Sequence, residues 1–211
     1  MAGSQRGAVA GLRRRAAGIA PTLYLVAVAA AALTACGLVG LAASEPWLFP
    51  SLGPTVMVLV ERPRAAAAAP RNVLLGHLAG IAVGWLCLAL TGLLHAPPAI
   101  TAGLSGVRIV AAVLSVALTM LVLLALRAPH APAGATTLIV SLGILRTGPQ
   151  LLTIVLAVLL VLAVVCLLDL AVRTRRPAPG GGDRWSRCGG PPGPFRDRGG
   201  GHRLARASRR T

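Results

Sequence analysis

The chain has 211 residues, 55% of them apolar and 12% charged, and its net charge of +16 is carried by arginine against five acidic side chains. The apolar residues gather into runs of about 20, the length that crosses hydrocarbon as a helix, which excludes a water-soluble globular domain. The arginines flank those runs or crowd the C-terminal part, so membrane orientation explains the charge and no nucleic-acid partner is expected.

Residues 1–21 form a basic lead with Arg13, Arg14 and Arg15 at its centre. The apolar run Thr22–Ala43 follows. It is longer than the apolar core of a secretory signal, and more spans come after it, so a retained first helix is expected. A short segment interrupted by Gly and Pro comes next: Pro50-Ser51-Leu52-Gly53-Pro54-Thr55. Then come a second long run, Asn72–Leu94, and a third, Val107–Leu126. A second broken segment reads His130-Ala131-Pro132-Ala133-Gly134-Ala135-Thr136, and the fourth long run is Gln150–Val172. Residues 22–172 form the membrane domain. From residue 173 the composition turns to Arg, Gly and Pro, which cannot bury enough surface to offset ordering entropy, and residues 173–211 read as a disordered tail. Cys36, Cys87 and Cys166 lie in apolar runs and Cys188 in the tail; with no Cys-x-x-Cys and no His/Cys cluster at zinc spacing, neither disulfide, metal nor cofactor is expected.

The two broken segments nearly copy one another: Gly53 lies 81 positions before Gly134, and Thr55 the same distance before Thr136. Each half runs long, short-broken, long. If both short segments cross, the inside loops hold Arg6, Arg13–Arg15, Arg62, Arg64, Arg71, Arg127 and the tail, while the outside holds only Arg108 and Arg146. Re-entrant segments would instead move Arg62, Arg64 and Arg71 outside, against the positive-inside bias. The expected fold is therefore an all-α polytopic bundle of four long and two short broken segments in a 3+3 inverted repeat, both termini cytoplasmic, in the cell inner (plasma) membrane. A segment of ~14 residues spans only ~21 Å as a helix, so each short segment must be part extended. Pro50, Gly53 and Pro54 mark that part in the first, and Pro129, Pro132 and Gly134 in the second.

Two half-helices starting near mid-membrane would point their N-termini at one another, each offering backbone N–H groups and partial positive charge. Ser51, Thr55, Thr136 and Thr137 add hydroxyls. Such a pocket suits a small anion without a buried arginine. His77 and His130 fall toward the inner side; each taken alone reads first as a His that caps or hydrogen-bonds a neighbouring helix, and the functional alternative, since His can charge near neutral pH, is a proton-linked or anion-attracting vestibule. Gly76, Gly80 and Gly84 recur every four residues, a dimerisation motif on one reading and a flat face for a short segment on the preferred one. His95 and His202 read as exposed, and Asp169 with Arg173 as a local pair. Gly103-Leu104-Ser105-Gly106 matches the Gly-x-Ser-Gly string of rhomboid-type intramembrane proteases, but the topology puts Ser105 outside and both membrane histidines inside. No catalytic residue and no enzyme activity is expected.

Phe49-Pro50-Ser51-Leu52-Gly53, Pro70-Arg71-Asn72 with Gly76-His77, and His130-Ala131-Pro132-Ala133-Gly134-Ala135-Thr136 stand in an order that resembles the HPP family of integral membrane proteins over about residues 45–172. The family is named for a His-Pro-Pro motif; here its middle position is Ala131. The resemblance implies carried-over positions at Pro50, Ser51, Gly53, Arg71, Asn72, His77, His130, Pro132 and Gly134. It also implies nitrite as a candidate substrate, since some plastid members are associated with nitrite transport.

The reading is a transporter or channel for a small inorganic anion, binding at Pro50, Ser51, Gly53, Thr55, His77, His130, Pro132, Gly134 and Thr136, with Arg71 and Asn72 as a helix-end motif. Its partners would be the lipid bilayer and a small anion, with a homo-oligomer left open. The rival reading is a non-transporting membrane anchor or scaffold whose basic tail contacts acidic lipid or a partner protein.

Overall fold

Proline and glycine punctuate the chain into helices. A computed structural model describes residues 2–175, with side chains described from residue 19 to residue 172 apart from Ala20. The tail beyond Arg175, with Cys188 and His202, and the side chain of Arg173 lie outside the described residues. The helices are α1 (Ala2–Ala43), α2 (Leu52–Glu61), α3 (Pro70–Leu90), α4 (Ala99–Ala102), α5 (Gly106–Ala125), α6 (Ala133–Ser141) and α7 (Gly148–Arg175), with a 3-10 turn at Ala66–Ala68 before α3. No strand occurs among the described residues. The basic lead is helical and continuous with α1.

Four stretches are long and apolar enough to span a bilayer: Pro21–Ala43, Pro70–Leu90, Gly106–Ala125 and Gly148–Val172. They coincide with the four long runs to within a few residues. Only 28% of the apolar stretch of α5 is buried against the rest of the chain. Val113, Met120, Leu121 and Leu124 on α5 are all more than half exposed. A soluble monomer rarely shows so large an apolar face; hydrocarbon solvates it without cost.

The six longer helices pack in two groups of three around a large apolar cluster, with a smaller cluster at Leu123, Ala128 and Ala133. Short α6 lies against α3 and α5, and short α2 lies against α1. Leu52, Val56 and Leu59 of α2 share a cluster with Ala32 and Cys36 of α1 and with Ile154, Ala157, Val158 and Val161 of α7. Cys36 Sγ donates to the Ala157 carbonyl across the α1–α7 contact (3.8 Å). Val73 of α3 and Ile139 and Val140 of α6 join the same cluster and tie the groups together.

The glycine stripe of α3 is a contact within the bundle, as preferred from the sequence. A Cβ on Gly80 would stand 2.9 Å from the Ala133 carbonyl, and one on Gly84 would stand 2.8 Å from the Thr137 carbonyl. A Cβ on Gly76 would meet the His130 ring at 2.9 Å. The stripe lets the backbone of α6 and the loop before it approach α3 more closely than any side chain would allow.

Burial repeats at a constant shift of 81 residues. Ser51, Leu52, Thr55, Val56 and Leu59 are buried on α2 and its N-cap, as are Pro132, Ala133, Thr136, Thr137 and Val140 on α6 and its N-cap. Val73, Gly76, His77 and Gly80 on α3 likewise match Ile154, Ala157, Val158 and Val161 on α7.

The two arginines on the sparse side have structural partners that the sequence did not reveal. Arg108, 5% exposed, donates from Nη2 to the Pro97 carbonyl (2.6 Å), and Arg146 donates to the Ala96 carbonyl. Both thereby hold the loop between α3 and α5, which also donates from the Ala99 N–H to the Leu142 carbonyl (3.0 Å). Arg108→Ala is expected to cost about 1–3 kcal/mol by removing a charged donor, itself buried, from the Pro97 carbonyl. The check is thermal unfolding in detergent, where an unchanged midpoint would show that the loop does not need this donor.

Candidate functional site

The chain breaks match the prolines only in part: Pro50 and Pro129 lie in non-helical backbone and Pro132 is the N-cap of α6. α2 begins at Leu52 and α6 at Ala133, so Gly53, Pro54 and Gly134 lie inside the first helical turn. The stretches without regular structure before these two helices are 46–49 and 128–130. The reason is local: the first-turn N–H groups of a helix have no helical partner, so a proline there removes nothing. The expected free N–H groups are largely occupied as well. At α6, Ala133, Gly134 and Ala135 donate to the carbonyls of His130, Ala131 and Pro132 at 3.1 Å each. At α2, Leu52 donates to Phe49 (2.9 Å) and Thr55 to Ser51 (3.3 Å).

The two short helices are nonetheless linked through His77 of α3. Its Nε2 lies 3.0 Å from Thr55 Oγ1 and its Nδ1 lies 2.7 Å from Thr136 Oγ1. Thr55 and Thr136 are each the fourth residue of their short helix. One imidazole ring therefore spans the gap between equivalent first turns. Thr55, Thr136 and Ser51 have no exposed surface and His77 has 1%. Thr55 Oγ1 also donates to the Ser51 carbonyl (2.8 Å). Ser51 Oγ is buried with no hydrogen-bond partner, so a hydroxyl donor remains available at the α2 N-cap.

His130 extends the chain of contacts. Its Nε2 lies 3.3 Å from His77 Nε2, its Nδ1 donates to the Ala67 carbonyl (2.9 Å), and the ring centroids are 5.1 Å apart. The 3-10 turn that presents Ala67 is held from α3: Asn72 Nδ2 donates to the Ala66 carbonyl (2.8 Å), and Arg71 Nη1 donates to Asn72 Oδ1 (3.4 Å). Arg71 and Asn72 therefore position the turn that orients His130. A cavity of about 730 Å³ opens beside His130, lined by Thr119, Leu123, Arg127, Ala131 and Gly134 among others.

The structure brings together Ser51, Thr55, His77, His130 and Thr136. Pro132 is buried as the N-cap of α6, and Gly134 borders the cavity. Pro50 is exposed and Gly53 has open space where a Cβ would sit, so neither touches the Thr55–His77–Thr136 junction. Thr137 turns away from it: its Oγ1 donates to Thr119 Oγ1 (3.0 Å) and the Ala133 carbonyl (2.9 Å). Ser105 is the N-cap of α5, its Oγ accepting from the Arg108 N–H at 3.4 Å, and His95 is exposed. The Ala67 carbonyl and Thr119 were missed, because a carbonyl in a 3-10 turn and a Thr on a long apolar run leave no sequence signal.

The motif-bearing residues thus converge on one buried polar centre in an apolar bundle. The chain matches the model of the HPP transmembrane region over residues 14–179. It belongs to the HPP family. The match reaches further toward both ends than the motifs alone, taking in most of α1 and all of α7. No curated protein and no solved structure matches the chain. At the family's signature, His130-Ala131-Pro132, the departing residue Ala131 is exposed at the cavity, while His130 and Pro132 are buried. The HPP protein thus keeps the two signature side chains that pack inside the bundle. Its family and its four apolar spans make it an integral membrane protein, of a kind broadly suited to act as a transporter or channel.

Proposed function

We propose that this HPP protein carries a small inorganic anion across the membrane, binding it where the first turns of α2 and α6 meet at His77. The observation that carries the reading is the Thr55–His77–Thr136 bridge, a buried polar centre made from two short helices that start inside an apolar bundle. A scaffold or anchor would fill that junction with Leu or Val; here Ser51, Thr55, His77, His130 and Thr136 fill it. Both helix dipoles place positive potential there, and the unpartnered Ser51 hydroxyl adds a donor. With α6's first-turn N–H groups occupied, recognition rests on hydroxyls, dipoles and the imidazole.

A 3+3 inverted repeat is part of the proposal. It is supported by the 81-residue recurrence of burial and by the packing, in which each short helix sits against the first long helix of its own half and the last of the other. With six crossings the arginine bias favours both termini in the cytoplasm, and the cell inner (plasma) membrane is the location proposed with it. Nitrite is the first anion to try; chloride, nitrate and formate have the same charge and similar size. No chemical transformation is assigned to the site.

The test is uptake into proteoliposomes of the purified full chain, run in parallel with nitrite, nitrate, formate and chloride. Saturable uptake of at least one anion above protein-free vesicles is expected; none above that background would end the transport reading. Gly134→Val is expected to slow uptake while the protein stays folded, because nothing lies within 4 Å of the new Cβ and the side chain projects toward the cavity by His130. Unchanged uptake in that variant would remove the cavity from the route.

A further inference from the structure

The hydrogens of the two buried histidines are fixed by one backbone carbonyl. The Ala67 oxygen can only accept, so His130 Nδ1, 2.9 Å away, carries a hydrogen. In the neutral ring, His130 Nε2 is then a lone pair. It faces His77 Nε2 at 3.3 Å. Two lone pairs at that distance repel, so the hydrogen between them sits on His77 Nε2. The same hydrogen points to Thr55 Oγ1 (3.0 Å), whose own hydrogen goes to the Ser51 carbonyl (2.8 Å). His77 Nδ1 is therefore the acceptor, and the Thr136 hydroxyl donates to it across 2.7 Å. With both rings neutral, neither threonine has an O–H left for an anion.

Resting on the transport reading above, we propose that a proton is the co-substrate, taken up on the His77–His130 pair together with the anion. One added proton reverses the threonine that matters. On His77, it gives both ring nitrogens a hydrogen. On His130, it makes Nε2 a donor to His77 Nε2, and the hydrogen of the neutral His77 ring shifts from Nε2 to Nδ1. In either case His77 Nδ1 donates to Thr136 Oγ1, and the Thr136 O–H becomes free to bind the anion. On His77 one N–H bond forms and none breaks; on His130 one N–H bond forms while His77 exchanges its Nε2–H bond for an Nδ1–H bond, and in both cases the added positive charge is balanced by the anion. An unpaired charge buried at this depth is costly, so proton without anion and anion without proton are both disfavoured. That mutual dependence is what couples the two.

The surroundings leave the pair as the proton carrier. The hydrogen bonds of the two rings include no carboxylate among the described residues. α2 and α6 present hydroxyls to His77, and the ends of α2 that bear Glu61 and Arg62 are exposed. α5 contributes Thr119 and, just past its end, the exposed Arg127, both lining the cavity beside His130.

The experiment uses full-chain proteoliposomes enclosing a pH-sensitive dye, with nitrite as probe and protein-free vesicles subtracted, because nitrous acid crosses lipid unaided. Acidification in step with nitrite entry, about one proton per anion, is expected. Thr136→Val, nearly isosteric, is expected to lose roughly tenfold or more in uptake, the loss of one charge-assisted donor, and Thr136→Ser to recover most of it. Nitrite entry with no matching proton entry would overturn the coupling while leaving transport intact. No nitrite entry above background would overturn the nitrite transport reading and the coupling with it. A readout independent of transport is the nitrogen NMR of labelled histidine in bilayers without anion: His77 protonated at Nε2 and His130 at Nδ1 agree with the proposal, and His77 protonated at Nδ1 alone contradicts it.

Discussion

Gly80→Val and Gly84→Val should each weaken the bundle severely, whereas Gly148→Val should not. The new Cβ at position 80 would lie 2.9 Å from both the Ala133 carbonyl and Thr137 Oγ1, and that at 84 would lie 2.8 Å from the Thr137 carbonyl. Two of those three contacts are backbone of α6, which cannot swing aside as a flexible side chain could. A glycine in a helix is itself unfavourable by about 0.5–1 kcal/mol relative to alanine. Overpacking that forces a backbone shift costs about 1–3 kcal/mol or more, and valine adds two methyl groups beyond the Cβ. The clash wins, so the sign is destabilising at both positions. Gly148, the first residue of α7, has nothing within 4 Å and serves as the control. Thermal unfolding in detergent reads the result. Wild-type midpoints at 80 and 84 would mean that α6 does not rest on the stripe.

The second large effect is at His77. His77→Leu keeps the volume roughly but removes both ring nitrogens from a centre with no exposed surface. Thr55 keeps its bond to the Ser51 carbonyl. Thr136 loses its ring acceptor and His130 Nε2 loses its donor. Each stranded buried group costs about 1–3 kcal/mol, so the two together are expected to destabilise by several. Anion uptake should fall to the protein-free level, because α2 and α6 lose their link and the imidazole is gone. His130→Leu should be milder in stability, since the Thr55–His77–Thr136 bridge survives. If His77→Leu folds as well as wild type and still carries anion, the bridge has no part in either.

The sequence made the spans legible because hydropathy over about 20 residues survives any detail of packing. It also made the meeting of the two broken segments legible, since Gly and Pro recur at matching places in both halves. What it could not give was phase. Placing the break at Gly53 and Gly134, rather than at 46–49 and 128–130, changes which side chain faces the centre. Thr136 and Thr137 are adjacent and alike, yet one bonds His77 and the other Thr119, because neighbours on a helix point about 100° apart. The same limit hid the role of the glycine stripe's partner: spacing announces a flat face but not which helix lies on it. Arg108 and Arg146 read as topology markers alone, since their acceptors, the Pro97 and Ala96 carbonyls, are backbone groups in a loop.

The residue 81 positions beyond His77 bears on the proposed mechanism. A shift of 81 residues from His77 falls on Val158, fully buried against α2. Only one of the two matching positions is therefore polar, and a single imidazole serves both short helices. The two threonines should accordingly act through a shared partner rather than as separate half-sites.

Nitrite uptake by wild type, Thr55→Val, Thr136→Val and the double variant in proteoliposomes measures that directly. If the first turns of α2 and α6 form one anion site through His77, each single change impairs uptake strongly and the double change adds little, a coupling well outside simple additivity. Independent, additive losses, or uptake indifferent to both threonines, would contradict it.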